Sequence, residues 1–329
     1  MTTREASVLY DAPGPRTRLY ILVGSVIFGI LALLSLYFFV YTPLEENGQF
    51  SEELWGPLVD PSNEFFDQVW ARIGEGFRNT LIAAALAIVS SVVMGTALAV
   101  LRFRLYELAH GPRGATPGRR TLLGLGWVLN LISKVFVEFF RGLPVVITIF
   151  FVARALPEYG VDLSARWYLV IGLTLYNMVV IGEILRSGMA NLPRGQKEAA
   201  DAIGLSGLQT ILTILLPQAF RIMLPALISQ VVVVLKDTSL GFIIGYEEAL
   251  RVGGQIIQNL SNPIPVYIVI AVIYITVNYA VSRLAVYMQR RIARGRKTPP
   301  GAHVPDTTVP SLLGGATAVE GEAVAPVSR

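Results

Sequence analysis

Cysteine is absent from this 329-residue chain, histidine occurs twice, and charged residues make up 15% of it. Without cysteine there is no disulfide framework and no thiolate metal site. The two histidines, His110 and His303, lie in separate polar stretches, so a histidine-rich metal site is not expected. The same shortage leaves no nucleophile–base constellation, and an enzyme is disfavoured. No G-x-x-x-x-G-K-[ST] run occurs, so the chain holds no phosphate loop and is not its own ATPase. No bound cofactor and no nucleic-acid partner are expected. Internal repeats, the mark of many secondary transporters, are missing as well.

What is present is apolar. Hydrophobic residues make up 53% of the chain, and the mean hydropathy is +0.57. A soluble domain would carry about 25% charged residues. A membrane-spanning helix needs about 20 apolar residues. Residues 19–41, 81–101 and 264–282 meet this without a charge. Residues 122–156, 167–189 and 221–246 are apolar but include ionisable side chains. The expectation is an all-α polytopic protein with six membrane helices. The first is read as a retained helix, not a cleaved signal, because its apolar run is long and ends in bulky residues.

Orientation follows from Lys and Arg in the loops. With the N-terminus inside, segments 1–18, 102–121, 190–221 and 290–329 are internal and hold seventeen basic residues. The external segments 42–75, 157–166 and 247–263 hold three, Arg72, Arg166 and Arg251. Both termini are therefore expected in the cytosol of a bacterial cell. Segments 102–121, basic with Gly and Pro, and 298–329 read as flexible.

The loop at 190–217 is the most informative stretch. Pro193 and Gly195 are expected to break the fourth helix. Good helix formers follow, with Ala199, Ala200, Ala202 and Ile203 close together on one side. Gly204 and Gly207 interrupt this short helix before a second apolar stretch begins at Ile211. Small residues on an exposed helix let a partner groove approach the backbone closely.

Several ionisable or polar residues lie within the spans, where they are costly and face protein or water. Lys236 and Asp237 are candidates for the substrate pathway, together with Thr238, Ser239, Asn79, Thr80 and Arg141. Lys236 either meets a substrate carboxylate or makes a structural ion pair. Asn79 and Thr80 can instead hydrogen-bond across helices. Glu183 and Arg186 share one helix face, as do Lys134, Glu138 and Arg141. Gly142 and Pro144 are expected to bend the third helix or start its spanning part.

The run Glu198-Ala199-Ala200, three residues, Gly204, nine residues, Ile214, one residue, Leu216-Pro217 resembles the signature loop of importer-type ABC permeases. Further stretches resemble the polar amino acid branch of that family. They are Gly76 with Arg78-Asn79-Thr80, Glu138-Phe139-Phe140-Arg141-Gly142-Leu143-Pro144, Glu183 with Arg186, and Lys236-Asp237-Thr238-Ser239. Leu143 stands where the family often has Thr. The basic insert and long tail are similar to those of glutamate-type permeases.

The resemblance implies a MetI-like ABC permease fold over 76–290, after an N-terminal segment 1–18 and a first helix with acidic loop over 19–75, and before a tail at 291–329. It implies that Glu198, Ala199, Ala200, Gly204, Ile214, Leu216 and Pro217 couple the chain to a separate dimeric ATPase, which carries the ATP and Mg. It further implies a second homologous permease subunit (a heterodimer is favoured), an extracellular solute-binding protein and a polar amino acid substrate. Glutamate is favoured over glutamine, arginine and histidine through Lys236. A secondary transporter or channel is the alternative, and the coupling loop would then have no role.

Overall fold

A computed structural model of the chain describes residues 14–109 and 117–294. Residues 298–329 and the middle of the 102–121 loop, both read as flexible, lie outside the described residues, but the two ends of that loop, 102–109 and 117–121, are helical, since arginine is a good helix former. The chain divides into a unit of residues 1–289 and a C-terminal unit beginning at residue 290. The first unit is described below.

Twelve α-helices are present among the described residues, and six segments there are long and apolar enough to cross a membrane. The first spanning segment joins α1 (Pro15–Leu36) through a π turn at Tyr37–Tyr41 to α2 (Thr42–Glu46). None of its residues is buried. The acidic loop then folds a short α3 (Glu52–Val59) against the start of α4 (Phe66–Ala109). The third segment is broken, as the Gly and Pro predict: α5 (Pro117–Gly142) stops at Leu143 and Pro144, and α6 (Val145–Glu158) follows. Then come α7 (Ala165–Ala190), α8 (Arg194–Ala202) and α9 (Gly207–Thr210). A π turn at Ile211–Leu215 leads into α10 (Leu216–Asp237), which tightens to a 3-10 helix at Thr238–Ile244. The last two are α11 (Ala249–Leu260) and α12 (Pro263–Arg294).

The core is built on α4 and α7. Every fourth residue of α4 from 83 to 99 is small: Ala83, Ala87, Ser91, Gly95 and Ala99, all buried. Small residues let two helix backbones approach closely inside a membrane. A Cβ on Gly95 would sit 2.9 Å from the Met178 carbonyl oxygen, and one on Gly182 would sit 3.2 Å from the Gly95 carbonyl oxygen. Side-chain hydrogen bonds add ties across the apolar interior. Ser90 and Thr174 hydroxyls lie 2.6 Å apart, and Gln230 Nε2 donates to Asn177 Oδ1 at 2.7 Å.

Along its length α7 threads three successive cores. Leu169 and Leu173 pack with Ala83, Ala87 and Ile149; Met178 and Val179 pack with Val137; Ile181, Leu185 and Met189 pack with Ala99, Ile211 and Ala219. Thus α5 and α6 meet α7 at successive levels and together make one broken crossing. At the opposite end, Leu58, Ile73 and Phe77 pack with Ala249, Val252 and Val266.

Candidate functional site

The 190–217 loop leaves the core at Asn191, where α7 ends, and Pro193 starts α8. Gly195 does not break the helix, contrary to the sequence reading: it lies inside the first turn of α8, because Pro193 already supplies the boundary. Gly204 stands at φ +79°, a left-handed turn that a side chain resists. Ser206 then caps α9, accepting from Gln209 N, while the Gln209 side chain accepts from Ser206 N at 2.9 Å.

The loop's motif separates into two halves. Glu198 and Ala199 are exposed, and so are Ala202 and Ile203, the latter at 74%. Ala200 does not share that outer face, as the sequence reading had it; it is buried at the inner side of the turn, where Leu205 N donates to its carbonyl. Pro217 is exposed, but Leu216 is buried and Ile214 packs on the same core as Leu185 and Ala219. The outer half presents a surface, and the second half anchors it.

Ion pairs surround this loop. Arg186 Nε donates to both Glu183 carboxylate oxygens at 3.1 Å, and Arg102 of α4 pairs with the same carboxylate. One turn further along α4, Glu107 accepts from Arg104 at 3.2 Å and from Lys197 of α8. The pairing of Glu183 with Arg186 is the one expected from their spacing. Lys134, Glu138 and Arg141 share an exposed face of α5.

A second feature is an open groove of about 700 Å³ beside the end of α10. Lys236 and Ser239 line one side, and Tyr267, Tyr274, Asn278 and Ser282 of α12 line the other. Lys236 is exposed and makes no ion pair among the described residues. Asp237 is half-buried outside the groove lining, and Thr238 is buried, its hydroxyl donating to the Leu235 carbonyl at 2.6 Å. Arg141 is exposed at the end of α5 and is not part of the lining.

Asn79 and Thr80 are committed to the fold. Asn79 Nδ2 donates to the Glu247 carbonyl at 2.9 Å, Tyr246 Oη donates to the Asn79 carbonyl at 2.8 Å, and Ala249 N donates to Thr80 Oγ1 at 3.2 Å. The cross-helix alternative weighed for them is the arrangement found.

Sequence reasoning missed α11 and its cap. Glu248 is fully buried and accepts from Leu250 N at 2.9 Å, Arg251 N at 2.7 Å and Tyr274 Oη at 3.0 Å. Burial pushes its carboxyl above the ordinary range. The polar stripe Tyr274, Asn278 and Ser282, spaced by four along an apolar run, was a readable signal of the groove face.

Residues 115–294 match the family model described as the binding-protein-dependent transport system inner membrane component. The chain is 38% identical over 257 residues to the glutamate transport system permease protein GluD of Corynebacterium glutamicum, covering 77% of this chain and 85% of that one. It is 35% identical over 219 residues to the probable glutamine ABC transporter permease protein GlnP of Bacillus subtilis, covering 65% of this chain and 91% of that one. A solved amino acid ABC transporter with histidines matches in fold, with a TM-score of 0.56 and 24% identity over 70% of this chain and 99% of the other. An inward-facing MetNI methionine ABC transporter matches with a TM-score of 0.55 and 19% identity, over the same shares.

Proposed function

This chain belongs to the binding-protein-dependent transport system inner membrane component family, and we propose that it forms the pathway for a polar amino acid in an importer driven by a separate ATPase. The observation that carries the coupling is the two-part loop. Glu198, Ala199 and Ile203 face outward on α8, while Ile214 and Leu216 root the loop in the core around α7 and α10. A short helix so anchored passes displacement to the membrane helices, whereas an unanchored loop would absorb it. The ATPase, a dimer holding ATP and Mg, alternates between two arrangements, and the membrane helices follow between inward-open and outward-open forms.

The amino acid reading is supported by the similarity to glutamate and glutamine permeases, with glutamate favoured by Lys236. A lysine in a membrane helix without a carboxylate partner belongs in water or beside an anion, and here it faces the groove. Lys236 and Ser239 are proposed to line the route, with Asp237 and Thr238 supporting the turn that holds them. Further partners are an extracellular solute-binding protein and a second, related permease subunit. The site is the bacterial cytoplasmic membrane, with both termini in the cytosol.

Ala199→Trp tests the docking. The position is exposed and helical, so the fold tolerates the ring. Membrane insertion should persist while co-purification with the ATPase and amino acid uptake both fall; native assembly and uptake would defeat the assignment. Lys236→Met keeps length and removes charge. It should weaken uptake of an acidic amino acid more than that of a neutral one, and unchanged kinetics for both would remove Lys236 from the route.

A further inference from the structure

The helix α8 is exposed along most of its surface, and only Ala200 is buried. Among the described residues, two of its side chains hydrogen-bond to other elements. Lys197 pairs with Glu107 of α4, and Gln196 Oε1 accepts from Gln218 Nε2 of α10 at 3.1 Å. Neighbouring residues on a helix point about 100° apart, so these two contacts hold α8 from different directions. Glu107 is 12% exposed and is also fixed by Arg104 of its own helix, whereas Lys197 is 46% exposed. A half-exposed pair of this kind contributes little stability. What it does supply is a fixed connection between a helix on the surface and a helix through the membrane.

That second helix is unbroken from Phe66 to Ala109. Its far end is fastened through Asn79 and Thr80 to Glu247 and Ala249, which follow the 3-10 turn beyond Lys236. Glu107 and Asn79 lie roughly 40 Å apart along the helix axis at 1.5 Å per residue. Regular helix between them carries an axial or rotational displacement without a hinge.

We infer that Glu107 and Lys197 are the positioning residues that pass movement of α8 to α4 and so to the groove beside Lys236, with Gln196 and Gln218 making the parallel connection to α10. Neither Glu107 nor Lys197 meets nucleotide or substrate; they set how much of the ATPase's movement reaches the pathway. This rests on the reading of α8 as the ATPase-docking helix.

The test uses the full chain purified with its ATPase and reconstituted with its solute-binding protein, and reads amino acid transported per ATP hydrolysed. Glu107→Gln and Lys197→Met should each assemble with the ATPase and hydrolyse ATP, while transport per ATP falls about two- to fivefold, the range for loss of one half-exposed ion pair from a coupling network. Because the chain has no cysteine, Glu107→Cys/Lys197→Cys provides a second arm. The reduced pair should be uncoupled, and bridging it with a short bifunctional thiol reagent should restore transport per ATP. A native ratio in both single variants, or no recovery on bridging, overturns the relay. Ala199→Trp in the same preparation separates the two readings: if it assembles and transports normally, the docking reading fails. If it loses assembly while both single variants keep a native ratio, the relay alone fails.

Discussion

Removing Glu183 should destabilise this protein more than removing either guanidinium around it. The Glu183 side chain is 19% exposed and receives Arg102, 11% exposed, and Arg186, 32% exposed. Glu183→Ala removes the carboxylate with which both guanidinia pair. Arg102 Nε is already buried without a hydrogen-bond partner among the described residues. Breaking a buried pair from one side costs about 3–5 kcal/mol, and the partial exposure here favours the lower end. Glu183→Gln keeps an acceptor oxygen and loses the charge, so about half that cost is expected, in the range of a charged hydrogen bond. Arg186→Ala leaves Glu183 paired with Arg102 and removes a partner that water reaches, so about 0–1 kcal/mol is expected. The measurement is reversible unfolding in mixed micelles, titrated with a denaturing detergent and followed by helical circular dichroism. Arg102→Ala with Glu183→Ala should cost less than the sum of the two single changes, because each leaves the other's charge stranded. A Glu183→Ala protein as stable as the parent, or an Arg186→Ala protein equally damaged, would refute this account.

Gly188→Leu should lower the thermal midpoint, since a Cβ there would lie 2.6 Å from Met223 Cγ and 3.2 Å from Ala219 Cβ. Overpacking of this kind costs about 1–3 kcal/mol. Gly195→Ala on α8 meets nothing within 4 Å, and the same melting assay should show no loss or a gain of up to about 1 kcal/mol. Glu248 has a folded-state pKa raised above its ordinary 4.5, chiefly by burial. Protonation therefore favours the folded form, and its contribution to stability falls as pH rises from 4.5 through the raised value. Glu248→Gln should flatten that slope in denaturation series across this window, and an unchanged slope would assign the dependence elsewhere. In intact cells Ser51→Cys should react with an impermeant thiol reagent and Ser206→Cys should not; the reverse pattern would invert the orientation.

Most of the helices were readable because a bilayer imposes length and apolarity on anything that crosses it, and the runs at 81–101 and 167–189 fall inside α4 and α7. The break at Leu143 and Pro144 was readable for a backbone reason, as proline cannot continue the ladder of hydrogen bonds. Helix ends were less so. The spans seen as 81–101 and 264–282 extend in the structure to Phe66–Ala109 and Pro263–Arg294. Polar residues at a membrane surface are compatible with helix, and apolar counting stops at the lipid boundary. Helix α11 was missed because its glycine pair, Gly253 and Gly254, and its polar side chains read as loop. Burial of Val252 and Ile256 against α12 overrides that weak local preference, and the Glu248 cap settles where the helix starts.

The candidate sites divide by the same logic. The resemblance named the residues of the loop motif, yet it did not tell which of them are exposed, because sidedness depends on what the loop packs against. Ala199 and Ala200 are chemically identical neighbours, and one is exposed while the other is buried. Successive helix positions point about 100° apart, and the left-handed turn at Gly204 lets Leu205 N donate to the Ala200 carbonyl on the inner side. Glu107 had no motif to mark it, since its role depends on a contact with Lys197, ninety residues away in sequence. Charges that face the same way on two helices become legible only when the register between those helices is known. Here the small residues of α4 set its depth against α7, and that depth brings Arg102 level with Glu183 and Glu107 level with Lys197. The close packing of α4 on α7 is thus what turns scattered charges into a connection between the loop and the membrane helices.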